Sequence, residues 1–365
     1  MKNNFSQTCT DATGDFQATL YAATYILLFI PGLLANGVAL LVLCRFVIKK
    51  HKAVIFMINL AAADFAHVLS LPLRMYYYIN HHWPFGSFLC QFCFYLKYLN
   101  MYASICFLTC ISIQRYLFLR YPFKAKDWKR RYDAALSVAI WIVVGAACLP
   151  LPILRSPDSS NSTNNTCFAD LGVQQLTMGA SIALVVVAEL SGFVVPLTVI
   201  IFCTWKMRQS LQTSDAAVQH ANEKQKAWQM ILVCAAVFFI CFTPYHVNFP
   251  IFMMVKQNAI TNCAIYQSTL HFHSISLCLA SLNCCLDPIL YYFMTSEFKE
   301  RIFQQTGAAI WHRLASHDSS TGVISAGEMG EGGQQNKSVL LGYLWTLHPH
   351  RFEGTGGTGT DSKER

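Results

Sequence analysis

Five ionisable residues stand inside stretches that are otherwise apolar: Asp64, Arg74, Lys97, Glu189 and Asp287. A charge in such a setting costs about 2.5–3.5 kcal/mol on membrane-insertion scales, so each asks for a function or a partner. Spacing sorts them. On a helix, Arg74 lies about 15 Å along from Asp64, and Lys97 about 10 Å along from Cys90. Arg74 and Lys97 then share the outer half of the thickness, while Asp64 and Asp287 lie nearer the middle. Arg155 and Lys256, where two further apolar stretches end, would add a rim. Four cations around one cavity would bind an anion, a phosphate or a carboxylate, Arg through its planar fork and Lys as a point charge. The plainer alternative has Arg74 and Lys256 snorkelling to the interface and touching no ligand. Lys97 is too deep for that, although Glu189 could neutralise it. Asp64 and Asp287, with oxygens from Ser104 and Asn283, suit a sodium ion, a proton relay or structural hydrogen-bonded acids. Oxygen-only ligands favour a hard cation over zinc.

The scaffold that must position these residues is legible in the composition. Of 365 residues, 54% are apolar and only 13% charged, about half the charged share of a soluble chain. That excludes a soluble enzyme, a disordered chain and a coiled coil. Seven apolar stretches follow one another, at about 19–46, 53–80, 90–119, 133–154, 177–205, 227–256 and 264–294. Each is long enough to cross a hydrocarbon core of about 30 Å as a helix. The predicted fold is an all-α membrane protein: a seven-transmembrane helix bundle over 19–294, after an N-terminus at 1–18. A short amphipathic eighth helix at 295–304 and a disordered tail at 305–365 are expected to follow. Within that tail, Ser338 to Leu347 is unusually apolar. Pro72, Pro196, Pro244 and Pro288 fall inside spans, which a membrane bundle tolerates because neighbours re-satisfy the freed carbonyls. The first twenty residues lack the pattern of a cleaved signal, so the first span is expected to be the anchor.

Basic residues orient the bundle. Arg45, Lys49, Lys50 and Lys52 follow span one; Arg115, Arg120, Lys124, Lys126, Lys129, Arg130 and Arg131 surround the connection from three to four; Lys206, Arg208, Lys224 and Lys226 surround that from five to six. The other side holds Lys2, Arg155 and Lys256. The positive-inside rule then makes the first group and the tail cytoplasmic and the N-terminus extracellular, as in a multi-pass plasma-membrane protein. The net charge of +8 is a collar around spans, not a nucleic-acid-binding stripe. Sequons at Asn4, Asn161 and Asn164 all fall on the outer side, where glycosylation is possible. Of 15 cysteines, Cys9, Cys90, Cys167 and Cys263 fall there too. Spacing alone does not choose among their three pairings.

The landmarks then line up in order: Asn36; Leu60-Ala61-Ala62-Ala63-Asp64; Trp83-Pro84-Phe85-Gly86; Cys90; Gln114-Arg115-Tyr116; Trp141; Pro196; Cys241-Phe242-Thr243-Pro244; and Asp287-Pro288-Ile289-Leu290-Tyr291. Over roughly 20–300 this resembles the rhodopsin-like G-protein-coupled receptors. The stretches 53–60, 94–104 and 239–246 resemble the purinoceptor-like lysophospholipid branch, in particular its lysophosphatidylserine-receptor subgroup. The resemblance implies bridges Cys90–Cys167 and Cys9–Cys263, and a head-group site at Arg74, Arg155 and Lys256. With these we group Lys97, Tyr98, Tyr102, Glu189, His246 and Phe249 as ligand-binding candidates. It also implies a ligand-driven swing of span six about Pro244, with Phe242 repacking. Arg115 would stand at the floor of a G-protein cleft, and Tyr116, Tyr291 and the Asp287-Pro288 pair would support the open state. Implied partners are a lysophospholipid, a heterotrimeric G protein of the twelve/thirteen class or the inhibitory class, arrestin, receptor kinases and membrane lipids. An allosteric sodium ion is the one cofactor in view.

Two departures carry weight. Most relatives place an Asp before the Arg of span three; here Gln114 cannot form that ion pair, so appreciable basal signalling is expected. Nucleotide receptors of the branch usually have a cation three residues after the span-six His; here it is Phe249, and Leu277 stands where span seven often has another. That favours a lysophospholipid over a nucleotide, the runner-up ligand. A secondary transporter using Asp64, Asp287 and Lys97 predicts inverted repeats and paired broken helices, and neither is visible. An intramembrane enzyme needs a nucleophile–base or metal set, yet HExxH, GxSxG and a phosphate loop are all missing.

Overall fold

The computed structural model describes residues 14–48, 54–150, 167–168, 177–212, 218–257, 259–260 and 262–294. All regular structure among them is helical. Seven helices are long and apolar enough to cross a membrane: Gly14–Arg45, Ile55–Asn80, Gly86–Arg120, Arg130–Cys148, Met178–Gln212, Lys224–Lys256 and Cys263–Tyr291. In hydrocarbon every backbone polar group must be satisfied within its own segment, and a helix does this for any apolar sequence long enough. The expected eighth helix and tail, the sequons at Asn4, Asn161 and Asn164, Cys9 and Arg155 lie outside the described residues.

The helix ends have local causes. Span two closes on His81, whose N–H still reaches the Tyr77 carbonyl at 2.7 Å and whose left-handed φ of 53° then turns the chain out of the helix. Span three opens at Gly86, whose φ of 80° favours glycine. Trp83 Nε1 donates to the Gly86 carbonyl at 2.7 Å and fixes that turn. Span four ends at Cys148, where the Leu149 N–H turns back to the Ala146 carbonyl at 3.3 Å and Pro150 follows with no N–H to continue the ladder. Thr177 and Asn262 cap spans five and seven through side-chain oxygens. The helix of span six begins at Val218, well before the apolar stretch, because hydropathy reports membrane thickness and not helix length.

Wide π-helical turns at Leu190–Val194 and Phe238–Phe242 stand directly before Pro196 and Pro244. A proline brings no N–H to the carbonyl four residues back and its ring crowds that carbonyl; an extra residue in the turn relieves both. Spans five and six are thus locally unwound beside their prolines.

Polar side chains tie the bundle together. Asn36 Nδ2 donates to the Cys284 carbonyl at 2.6 Å, joining spans one and seven. Trp141 Nε1 donates to Asn59 Oδ1 at 2.8 Å, joining four and two. Gly32 permits the close approach of span one: a Cβ there would lie 2.9 Å from Val68 Cγ2. The core holds Tyr25, Leu60, Leu71, Phe107, Phe238 and Phe242, while Leu27, Ile142, Val143 and Val187 face outward. Apolar residues inside and outside are expected where lipid is the solvent; small and polar contacts then select the packing.

Candidate functional site

Cys90 and Cys167 are disulfide-bonded, with Cα atoms 5.6 Å apart. The bridge seats Phe168 over the bundle, where it stacks on Tyr78 (5.8 Å) and meets Tyr77 and Trp83 edge-on. Cys263 is also disulfide-bonded. Under Phe168 opens a cavity of about 50 Å³. Three cations line it: Arg74 from span two, Lys97 from span three and Lys256 from span six.

Their surroundings are aromatic. The Arg74 guanidinium, 1% exposed, lies 4.8 Å from the Phe168 ring and donates through Nη2 to the Cys93 carbonyl, while its Nε has no partner. Lys97 Nζ lies 5.1 Å from the Tyr21 ring, and Lys256 Nζ lies 5.8 Å from the rings of Phe252 and Tyr266. Among the described residues, neither Arg74 nor Lys97 pairs with a carboxylate. Cation–π contact offsets part of the cost of burying a charge. The rest calls for an opposite charge, and the Arg74 Nε keeps a donor that none of the described residues engages.

The structure gathers only part of the expected ligand set here. Tyr98 lines the cavity with the three cations. Tyr102, Glu189, His246 and Phe249 are not in its lining but form a separate group across spans three, five and six. There His246 Nδ1 lies 3.1 Å from Glu189 Oε1 and the ring stacks on Phe193 at 5.0 Å. Tyr102 meets it edge-on at 6.0 Å, and Phe249 stacks on Tyr245 at 5.6 Å. Glu189 therefore pairs with His246 and does not neutralise Lys97; the widened turn Leu190–Val194 follows it directly. Gly192 makes room, since a Cβ there would lie 2.6 Å from Tyr102 Cε1. Sequence reasoning missed Tyr21, Tyr78, Phe168, Phe252 and His273 in the lining. Aromatic residues in an apolar span carry no mark that separates core from lipid face; only Phe168, next to Cys167, had a usable signal.

A smaller cavity of about 10 Å³ shares Lys97 and Tyr98 with the first and leads deeper to His67, Asn100 and Ser281. Both ring nitrogens of the buried His67 lack partners, as does Asn100 Oδ1. Below it lie the buried acids. Asn283 Nδ2 reaches Ser104 Oγ at 3.0 Å, Asp64 Oδ1 at 3.2 Å and Asp287 Oδ2 at 3.5 Å. One amide nitrogen has two hydrogens for these three oxygens. Asp64 Oδ2 and Asp287 Oδ1 accept no hydrogen bond. This surplus of buried oxygen fits a hard monovalent cation, with Asp64, Ser104, Asn283 and Asp287 as the residues that would hold it.

At the opposite end Arg115 and Tyr116 close span three, Tyr116 meeting Phe202 edge-on at 6.1 Å. Gln114 is buried and donates to Asp133 of span four at 2.9 Å. Phe242 is buried in the wide turn before Pro244 and packs on Phe238 at 5.8 Å. Asp287 separates the two helices of span seven, with Pro288 opening the second and Tyr291 buried within it.

A family model described as "7 transmembrane receptor (rhodopsin family)" matches residues 35–291. The chain is 60% identical over 316 residues to the Homo sapiens protein named as putative purinoceptor 10, covering 87% of this chain and 93% of that one. It is 50% identical over 301 residues to the Homo sapiens "Probable G-protein coupled receptor 174", covering 82% and 90%. It is 34% identical over 289 residues to the Homo sapiens "Lysophosphatidic acid receptor 4", covering 79% and 78%.

Proposed function

This chain belongs to the rhodopsin family of seven-transmembrane receptors, and on that premise we propose that its ligand is an anionic lysophospholipid, best matched by lysophosphatidylserine. As a member it is a multi-pass membrane receptor that answers a ligand by acting on a heterotrimeric G protein, and it is not an enzyme. The transporter reading falls with that membership. One observation carries the ligand class: Arg74, Lys97 and Lys256 converge on one aromatic-walled cavity, and the first two have no carboxylate partner among the described residues. The name of the lysophosphatidic acid receptor relative points to the same chemistry. A nucleotide polyphosphate needs more charge, and His246, the residue such receptors would use, is engaged by Glu189 away from the cavity. The acyl chain adds about 0.8 kcal/mol per buried CH₂.

In this reading the bridged end faces outward, with sugars on Asn4, Asn161 and Asn164, and the Arg115 end faces the cytoplasm. The head group binds Arg74, Lys97 and Lys256 best when spans two, three and six are drawn together. Such differential affinity shifts the population toward the active packing. Span six has its weak point in the turn Phe238–Phe242 before Pro244, so its inner half swings and Phe242 repacks. The cleft so opened over Arg115 receives a G protein of the twelve/thirteen or inhibitory class, and afterwards receptor kinases and arrestin. A sodium ion on Asp64 and Asp287 favours the resting packing. Gln114 puts no charge beside Arg115, so basal nucleotide exchange is measurable and falls in Gln114→Asp; equal basal exchange in both removes that part.

The test is a panel on receptor in nanodiscs with purified heterotrimers. Lysophosphatidylserine drives nucleotide exchange, whereas lysophosphatidylcholine and nucleoside diphosphates do not. Exchange driven by a nucleotide at lower concentration than any lysolipid overturns the reading.

A further inference from the structure

At the Arg115 end, donors from two different segments converge on one buried carboxylate. Asp133, 1% exposed, accepts on Oδ2 from Gln114 Nε2 at 2.9 Å and on Oδ1 from Trp128 Nε1 at 2.8 Å. Its own carbonyl accepts from Ser137 Oγ at 2.8 Å, which steadies the first turn of span four. Charged acceptors make the stronger hydrogen bonds, and these two pull in opposite directions on one group. One anchors Asp133 to span three. The other holds Trp128, the residue that follows the short helix Pro122–Asp127. The Trp128 ring is also packed between Phe118 at 6.1 Å and Tyr132 at 5.7 Å.

That short helix has an outward face. Phe123 is 82% exposed, and Tyr121 is exposed with the cations of Arg120 and Lys124 over its ring. An exposed phenylalanine among basic residues beside Arg115 fits an apolar pocket with an acidic rim on a protein partner.

We propose that Gln114 and Asp133 are positioning residues that hold Trp128, and through it the helix Pro122–Asp127, as a preformed platform for the G protein. The proposal rests on the receptor reading above. It gives Gln114 a task of its own, beyond the acid it replaces. An Asp at this position is shorter by one methylene and like-charged with Asp133, so it could not make the same bond. A platform already ordered spares the complex the entropy of ordering it on docking. Losing the clamp therefore lowers nucleotide exchange while leaving the distant ligand cavity unchanged.

The experiment compares wild type, Gln114→Glu, the pair Gln114→Glu with Asp133→Asn, and Trp128→Phe in nanodiscs. Amide hydrogen exchange over residues 121–129 reads the clamp without any G protein. Agonist affinity and agonist-stimulated nucleotide exchange are read separately. In Gln114→Glu two carboxylates face each other. Amide exchange then rises by about tenfold and stimulated nucleotide exchange falls by about tenfold, the scale of one charged hydrogen bond. Agonist affinity, read without G protein, stays within about twofold, because the ligand cavity shares no side-chain contact with the clamp. Adding Asp133→Asn restores both readouts, because the new amide donates to the new carboxylate while its oxygen still accepts from Trp128. The double variant keeps an acid beside Arg115, so recovery rules out an ion pair with Arg115 as the cause. Trp128→Phe removes one donor and no charge, gives the milder loss, and serves if Gln114→Glu fails to reach the surface. Wild-type behaviour in both Gln114→Glu and Trp128→Phe, or no recovery in the double variant at normal surface expression, overturns the proposal. If wild type drives exchange on no heterotrimer, the receptor reading fails, and amide exchange alone then decides the clamp.

Discussion

In the cavity at the bridged end, Arg74 and Lys97 face aromatic rings; deeper in the bundle, Asp64 and Asp287 face a single amide. The two groups, one basic and one acidic, share one trait: among the described residues neither meets a group of the opposite kind. A pocket holding His67 and Asn100 lies between them, and Asn100 Nδ2 reaches Asn283 Oδ1 at 3.5 Å. They do not pair because the cations sit in the outer half of spans two and three and the acids near the middle. Buried charges left this way are costly unless something else completes them. In the proposed reading the cationic group receives an anion from one side and the acidic group a small cation. A third group, Glu189 with His246, pairs an acid with an imidazole at 3.1 Å and serves as the control.

The variant expected to separate the regions most sharply is Cys167→Ser. Opening the bridge unseats Phe168 and costs about 2–4 kcal/mol of stability, measured as thermal unfolding of the purified receptor. Ligand binding falls with it, whereas stabilisation by sodium persists because Asp64, Ser104 and Asp287 lie deeper in the bundle than the residues that Phe168 touches. Next come the cations. Arg74→Ala and Lys97→Met each weaken an anionic lysolipid by roughly 1.5–3 kcal/mol in competition binding. Arg74 has the larger effect, since it also holds the Cys93 carbonyl and Phe168. Unchanged affinity at normal expression removes these residues from the site.

Asp287→Asn tests the other half. It removes one buried carboxylate and should abolish the sodium dependence of agonist affinity, a coupling of about 1–3 kcal/mol where present, while affinity without sodium changes little. If sodium dependence survives, the acids are structural. The smallest effect is expected from Glu189→Gln. His246 keeps a hydrogen-bond partner, so head-group affinity moves by less than about 0.5 kcal/mol, as for a site that shares no partner. A loss as large as that of Lys97→Met would merge the groups the structure keeps apart.

The amino-acid order alone determined the seven crossings, because a span needs only enough apolar residues for its backbone to satisfy itself. It determined which residues were conspicuous as well: Arg74, Lys97, Asp64 and Asp287 stand out because charge is costly in such stretches. It did not decide their partners. Glu189 and His246 are far apart in sequence and meet only where spans five and six pack, beside the widened turn at Leu190–Val194. Gln114 reads as an absence until Asp133 is brought 2.9 Å from it. Tyr21, Tyr78 and Phe252 read like any lipid-facing aromatic. Hydropathy records what a residue costs in lipid, and that cost is the same on every face of a helix. Which face turns inward, and whom it meets there, is decided by packing between helices: Gly32 against Val68, Asn36 on Cys284, Trp141 on Asn59.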